Sequence, residues 1–353
     1  MSETATLEQE NVALEQGLGN FEQQVNPVVA ELSPVEEWQQ HFTQSVVDSK
    51  TLQGVVLPTR EEILGRWFKE GDLGFIFGPR GLGKTWLSMY FAHAIAGGKQ
   101  AGPWNAPKPR KVLYIDGEMP LDETQGRDKL LSTGKGQVTY LHHEVLFEKT
   151  GAVLNLTSPE VQEAILTYCK DEKVEVVFLD NLSCLFSGMK ENEADSWEQV
   201  LHWLLALRRA RIAVIFIHHA GRNGQMRGTS RREDAAFWVI KLSPGRLSLN
   251  PQDGAAFATS FAKNRNTTEQ DAPSLEWQFK KESENEVSIA HQKSSNMQIF
   301  RQCLEDGLTS CTDIAEEMGM SKGGVSKLAK KAERDGLLRS NGRGGYELIE
   351  QAD

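Results

Sequence analysis

The residues best suited to do chemistry form one short loop near residue 80. This loop reads Gly78-Pro79-Arg80-Gly81-Leu82-Gly83-Lys84-Thr85 and matches the pattern G-x-x-x-x-G-K-[ST] at every fixed position. Glycines let backbone N–H groups turn inward around phosphates, and the start of a following helix adds the positive end of its dipole. The lysine reaches the outer phosphates, while the threonine hydroxyl ligates Mg²⁺. The loop therefore predicts a site for ATP and Mg²⁺.

Two carboxylates follow apolar runs that have the composition of buried strands. Asp180 ends the run Val174–Leu179, and Glu118 lies just after Val112–Asp116. A carboxylate beside a phosphate loop can hold Mg²⁺, so we predict that Asp180 is a metal ligand together with the threonine of the loop. Glu118 can orient or deprotonate the attacking water at the carboxyl edge of a sheet. Asp116 is the rival for that role.

The chain around these residues has the pattern of an α/β fold. Four apolar runs are candidate strands: Leu73–Phe77, Val112–Asp116, Val174–Asp180 and Ala213–His218. Apolar residues at helical spacing lie between them, in Trp86–Ala96 and Trp197–Leu207. Continuous apolar strands separated by helices indicate a mainly parallel sheet that is covered on both faces. Closely spaced strands after Ala235, with a turn at Pro251–Gly254, predict an antiparallel extension of that sheet.

The last part of the chain follows a polar linker within residues 282–296. Three stretches with helical spacing precede a stretch that contains two short strands: Met297–Asp306, Thr312–Met318, Ser321–Asp335 and Leu337–Leu348. This order resembles a winged-helix domain. Residues 322–343 carry seven basic residues against two acidic ones, a net charge of +5, which is typical of a surface that binds duplex DNA. Docking of a protein is the alternative.

Composition limits the function classes that remain. Hydrophobic residues make up 39% and charged residues 25% of the 353 residues, the balance of an ordinary soluble protein. The apolar runs are far shorter than the roughly 20 residues of a membrane helix, and the first residues are acidic and polar, unlike a signal peptide. We therefore expect a cytoplasmic protein with no membrane partner. The four cysteines have neither metal-ligand spacing nor a disulfide pattern.

The net charge of −10 is concentrated at the start of the chain. Residues 1–50 contain nine acidic residues against Lys50 alone, a net of −8, so the rest is near neutral and can carry local basic patches. We expect this segment to be flexible. The alternative is a short helix along the apolar stripe from Leu7 to Val25 that docks on a neighbouring subunit. The predicted domains are residues 1–50, an ATPase core at 51–290 and a winged-helix domain at 297–350.

The order of these motifs resembles the RecA-like core of hexameric replicative helicases over about residues 52–270. It is similar to the plasmid-encoded RepA helicase family and, more distantly, to DnaB. The run Tyr114-Ile115-Asp116-Gly117-Glu118 matches the position of the catalytic glutamate in RecA-like proteins, which implies that role for Glu118. The strand Val214–Ile217 ends in His218-His219, as it does in the RepA-like family. The resemblance implies that at least one of these histidines, for which we choose His218, senses the γ-phosphate.

The same resemblance implies residues that act on the nucleotide of a neighbouring subunit. Arg227-Gly228-Thr229-Ser230 resembles the Arg-Gly-Ser-Ser stretch that supplies such an arginine in RepA-like helicases. Ala262–Asn266 resembles the Lys-x-Arg-Asn motif of DnaB-like helicases, which implies Lys263 and Arg265. An arginine supplied in trans stabilises transition-state charge. The implied assembly is a homo-oligomer, expected to be a hexamer. The alternative for Lys263 and Arg265 is a basic strand end that pairs with surface carboxylates.

Two loops of such a ring would face a central channel for single-stranded DNA. One follows Asp180 and contains Lys190, and the other follows His219 and contains Arg222. Basic and backbone N–H groups in such loops hold the strand, although acidic residues 191 and 193 oppose phosphate binding by the first loop, Ser183 to Ala194.

Together with these motifs, the resemblance to RepA-like helicases implies an ATP-dependent DNA helicase or translocase in the replication of a plasmid or mobile element. Replication or recombination proteins are possible further partners. A RecA-like ATPase that binds DNA and uses hydrolysis as a switch, without unwinding, is the alternative. A repressor whose ATP site only controls assembly is a third reading, which Glu118 and Asp180 disfavour because both carboxylates serve hydrolysis.

Overall fold

The structure is a computed structural model whose described residues are 33–56, 59–132, 134, 136–188, 194–221, 234–245, 249–268, 270–294, 296–318, 320–340 and 345–349. The chain divides into a short unit that ends at Thr59 and a large unit from Arg60 onward. Among the residues described, no helix combines the length and the apolar composition that crossing a bilayer requires.

The short unit contains two helices, α1 (Pro34–Ser45) and α2 (Ser49–Gly54). The first of them lies within the segment that the sequence predicts to be flexible. Its start is stabilised by a capping box, in which Ser33 and Glu36 each accept a backbone N–H of the other, and by a proline at the first helical position. The apolar stripe from Leu7 to Val25 lies outside the described residues.

The large unit alternates strands and helices. Its strands are β1 (Glu62–Leu64), β2 (Phe68–Lys69), β3 (Leu73–Gly78), β4 (Gln100–Ala101), β5 (Trp104–Asn105), β6 (Val112–Asp116), β7 (Val138–His142), β8 (Val176–Asp180), β9 (Ala213–His219), β10 (Trp238–Ser243), β11 (Gly254–Asn264), β12 (Leu275–Ser283), β13 (Glu286–Lys293), β14 (Leu338–Ser340) and β15 (Tyr346–Leu348). Its helices are α3 (Lys84–Gly97), α4 (Leu121–Leu131), α5 (His143–Thr150), α6 (Pro159–Asp171), α7 (Leu182–Leu185), α8 (Ala194–Arg209), α9 (Asn296–Glu305), α10 (Cys311–Glu317) and α11 (Lys322–Arg334).

A nine-stranded sheet forms the centre of the large unit, in the order β13-β12-β11-β10-β3-β9-β8-β6-β7. Neighbouring strands from β10 to β7 run parallel, whereas β10 to β13 pair antiparallel. The expected fold class, a mainly parallel α/β sheet with an antiparallel extension, is confirmed. The order places β9 between the strand that leads into the phosphate loop and the strand that ends in Asp180.

The polar stretch that the sequence analysis treats as a linker is in part a strand. Residues 282–296 contain the end of β12, a turn at Glu284-Asn285 and the whole of β13. Val287 and Ile289 alternate with polar residues along this edge strand and pack against the core, which is enough to hold one face of it to the sheet. The linker prediction is therefore wrong for residues 286–293. The polarity that suggested it belongs to the exposed face of an edge strand.

Helices cover both faces of the parallel strands. On one face α3 packs against side chains such as Ile76 and Phe178, and on the other α6 and α8 pack against side chains such as Phe75 and Leu179. Successive residues of a strand point to opposite faces. A polar side chain at the carboxyl end of a strand therefore faces either the helix that follows the phosphate loop or the helices behind the sheet.

The C-terminal segment forms three helices and a two-stranded hairpin, close to the elements expected from the sequence. Phe300, Ile314, Val325 and Leu338 form its small apolar core. Its first helix is linked to the central sheet by an ion pair between Lys241 of β10 and Asp306. Residues 341–344 of the expected wing, with Arg343, lie outside the described residues.

Candidate functional site

The phosphate loop leaves the carboxyl edge of the sheet where β3 ends, and α3 begins at Lys84. Gly81 and Gly83 have φ angles of +72° and +108°, which L side chains rarely adopt. A Cβ atom on Gly83 would also lie 2.6 Å from the ring of Phe257. The glycine at this position is therefore required by both backbone conformation and space.

The Lys84 side chain lies inside the loop. Its Nζ donates hydrogen bonds to the carbonyl oxygens of Gly78 at 3.1 Å and Pro79 at 2.7 Å. Burial lowers the pKa of this lysine to about 8, while the negative charges of Asp180 and Glu118 act in the opposite direction. Both carboxylates are thus close enough to Lys84 to interact with its charge. Arg80, by contrast, is exposed on the loop.

Three strands bring polar side chains to the face that α3 covers. Tyr114 and Asp116 of β6, Asp180 of β8 and His219 of β9 follow the alternation of the apolar residues that pack on α3. The register places Asp116 beside Asp180, and His219 beside Gly78. These strand ends therefore meet next to the start of the phosphate loop.

Asp180 is buried and held by two hydroxyl groups. The Tyr114 hydroxyl donates to Asp180 Oδ2 at 2.7 Å, and the Thr85 hydroxyl is also hydrogen-bonded to this carboxylate. Burial raises the pKa of Asp180 to about 6, the charge of Asp116 adds to the rise, and the two hydroxyls oppose it. A carboxylate beside a threonine hydroxyl is a donor set that suits Mg²⁺, which takes few protein oxygens and completes its shell with water and phosphate oxygens.

Asp116 and Glu118, the two rivals for the role of base, have different surroundings. Asp116 is fully buried, and its Oδ1 accepts the backbone N–H groups of Glu118 and Met119, both at 3.0 Å. Its Oδ2 accepts the Thr124 hydroxyl at 2.7 Å. Asp116 therefore shapes the turn after β6. The side chain of Glu118 is 43% exposed and faces the loop, which leaves it accessible to water.

Two further residues surround Glu118: Asn181, which no motif singles out, and His219, the second histidine of the pair at the end of β9. The side-chain amide of Asn181 donates to Glu118 Oε2, and His219 Nε2 lies 3.6 Å from Glu118 Oε1. Interaction with His219 is the largest cause that holds the pKa of Glu118 below its usual value, with Asn181 and Lys84 acting in the same sense. His218, the histidine chosen from the sequence, is fully buried. Counting alternate residues along β9 would have separated the two histidines, because His218 points to the other face.

Of the residues expected to act in trans, Lys263 and Arg265 lie away from the phosphate loop, and Arg227 lies outside the described residues. Lys263 pairs with Val239 near the amino edge of the parallel strands, and the backbone N–H of Arg265 donates to Phe237 O at 2.8 Å just beyond it. The phosphate loop leaves from the opposite edge, so the structure does not bring Lys263 and Arg265 to the site of their own subunit. Arg227, like Arg222 and Lys190, lies outside the described residues.

Comparisons with known proteins agree with the nucleotide site. Residues 38–225 match the family described as "AAA domain". No curated protein matches the sequence. Among solved structures, the flagellar accessory protein FlaH from Methanocaldococcus jannaschii is 12% identical, with a TM-score of 0.44 over 64% of this chain and 91% of that chain. The family match covers the phosphate loop, Glu118 and Asp180, and it agrees with the mainly parallel sheet that brings them together.

Proposed function

This chain belongs to the AAA domain family, and we propose that it is an ATP-dependent DNA helicase or translocase that acts in replication of a plasmid or mobile element. ATP hydrolysis is supported by one observation: the phosphate loop, Asp180 and Glu118 lie together at one edge of the sheet. The proposed action on DNA is supported by the basic helix α11 near the C-terminus and by the resemblance of the core to RepA-like helicases.

The place of each side chain suggests its role in hydrolysis. Backbone N–H groups of the loop and the Lys84 ammonium hold the outer phosphates and supply positive charge where negative charge develops. Mg²⁺, held by Thr85 and Asp180, would stabilise the charge of the transferring phosphoryl group. Glu118 orients the attacking water and accepts its proton, because its side chain is accessible and its lowered pKa keeps it ionised at neutral pH.

The exposed face of α11 supports contact with DNA. Lys322, Lys327, Lys330 and Arg334 are exposed on this one helix, whose apolar residues Val325 and Ala329 are buried in the C-terminal core. Two other basic residues of the segment 322–343 have different surroundings. Arg339 pairs with Glu347, and Lys331 borders the cleft between α11 and the central sheet. Lys322, Lys327, Lys330 and Arg334 are the residues that we propose to contact phosphates.

We further propose that the ATP site is completed by a second subunit. Arg265 is exposed at the sheet edge opposite the phosphate loop, so it can serve catalysis only at the site of another copy. Native mass measurement with and without a non-hydrolysable ATP analogue tests the assembly. A ring together with ATP-dependent strand displacement supports the helicase. A monomer or dimer that binds DNA in an ATP-dependent way, without displacement, would favour the switch instead.

The DNA contact has its own test in the full-length protein. Each phosphate contact contributes about −0.9 to the slope of log affinity against log salt, so three or four contacts give a slope of roughly −3. Replacing both Lys327 and Lys330 by Ala should reduce that slope by about 1.8. The matched control replaces Lys149 and Lys170, two exposed helical lysines of the core, and should leave it unchanged. Equal slopes for both double variants would exclude α11 as the DNA contact.

A further inference from the structure

We propose that Asn181 is a positioning residue that aims the carboxylate of Glu118 at the attacking water. This inference rests on the proposed role of Glu118 as the base. Asn181 directly follows Asp180 and is 1% exposed, so its side chain has a protein environment on every side. Neither the phosphate-loop pattern nor the predicted metal site draws attention to it.

The orientation of the Asn181 amide follows from its partners. Its Oδ1 accepts the backbone N–H of Cys184 at 3.1 Å, where it caps the short helix α7. A backbone N–H requires an oxygen acceptor, so the NH₂ group must point the other way. In that direction lie Glu118 Oε2, to which it donates, and His219 Nε2 at 3.1 Å.

One NH₂ group therefore serves two residues of the site. One of its hydrogens goes to Glu118 Oε2, and its nitrogen also lies 3.1 Å from His219 Nε2. The Asn181 amide therefore contacts both Glu118 and His219 and fixes the position of Glu118 relative to the histidine ring.

Glu118 depends on such an anchor more than a buried acid would. Its side chain is 43% exposed and its carboxylate would otherwise rotate among several rotamers. With Oε2 held by Asn181, the other oxygen, Oε1, stays 3.6 Å from His219 Nε2, beyond a direct hydrogen bond. Oε1 is therefore the atom left to accept a proton from water.

The test separates this role from the capping role of the same side chain. Asn181→Ser keeps an oxygen that can cap α7, because Ser and Asn are about equally good caps, but it lacks the NH₂ group that reaches Glu118. A misplaced base costs up to about a hundredfold in rate, so kcat should fall about tenfold or more while KM and the affinity for an ATP analogue stay within about twofold. Asn181→Thr, which also keeps a capping oxygen, replaces the serine variant should that variant fail to fold.

Two comparisons make the result decisive. Ser158→Ala removes the cap of α6 on the other face of the sheet and should leave kcat unchanged. In a Glu118→Gln background, Asn181→Ser should have no further effect on the single-turnover rate, because the residue acts through the glutamate. A wild-type kcat for Asn181→Ser, or a full loss that persists in the Glu118→Gln background, would overturn the inference. A wild-type rate for Glu118→Gln alone would instead remove the base from the proposed mechanism.

Discussion

Removing the hydroxyl of Tyr114 tests whether Asp180 is a ligand of Mg²⁺. Tyr114 is fully buried, and its hydroxyl lies 2.7 Å from Asp180 Oδ2 and 2.8 Å from Ser88 Oγ. Tyr114→Phe removes one oxygen atom and keeps the ring, which stacks on Phe178. The substitution therefore takes away the group that orients the Asp180 carboxylate and leaves the packing of β6 in place.

The size of the effect follows from the partner of this hydroxyl. A buried hydrogen bond to a charged group contributes about 1.5–3 kcal/mol. At about 1.4 kcal/mol for each factor of ten, this is about tenfold to a hundredfold, which matches the usual effect of losing a partner of a metal ligand. We expect the Mg²⁺ concentration for half-maximal ATPase activity to rise by that factor. Because Lys84, Thr85 and Glu118 are unchanged, most of kcat should return at saturating Mg²⁺.

The assay is phosphate release titrated with Mg²⁺ at fixed ATP, and Tyr140→Phe is the matched control. Tyr140 lies beside Tyr114 on β7, and its hydroxyl donates to Asp128 at 2.9 Å, away from Asp180. The control should keep the wild-type Mg²⁺ dependence. An unchanged Mg²⁺ dependence in Tyr114→Phe, with folding verified by thermal melting, would refute the assignment of Asp180 as the oriented metal ligand.

Other parts of the site make separate predictions. Gly83→Ala should abolish binding of a fluorescent ATP analogue, because the new Cβ would lie 2.6 Å from Phe257. The Cβ of Gly81→Ala would meet open space, so that variant should keep binding and lose only about 1 kcal/mol of stability. Equal binding by both variants would contradict this. Arg265→Ala should lower ATPase activity but not nucleotide affinity, and mixing it with Lys84→Ala should recover part of the activity; no recovery after verified subunit exchange would exclude a trans role. Excess chelator should stop hydrolysis and added Mg²⁺ should restore it, so metal-independent turnover would exclude the metal.

The fold was predictable where the signal is local. The phosphate loop is a contiguous motif, and the apolar runs of the parallel strands have the composition of strands buried on both faces. The edge strand β13 was not predictable in the same way, because only Val287 and Ile289 mark its buried side. Short polar strands depend on their neighbour for stability, and the neighbour is a tertiary property.

The sequence predicts which residues form the site better than it predicts which of them contact one another. Lys84, Asp180 and Glu118 stand out by motif or by position after a strand, and the structure brings them together. The contact of Glu118 with Asn181 and His219 depends on β9 lying next to β8, and the sequence does not contain that strand order. Alternation along β9 separates His218 from His219 in the sequence, but only the packing of Ile215 and Ile217 in the structure shows that His219 lies on the face of the site.

Single-turnover phosphate release by Glu118→Gln shows whether ATP is hydrolysed at this site with Glu118 as the base. We expect a rate lower by about a hundredfold or more, the scale of a positioned base, with wild-type affinity for ATP. Asp116→Asn is measured beside it, with its stability determined by thermal melting, and should retain more activity because Asp116 shapes the turn rather than facing the water. A wild-type rate for Glu118→Gln, or a large loss that only Asp116→Asn shows in a folded protein, would exclude Glu118 as the base.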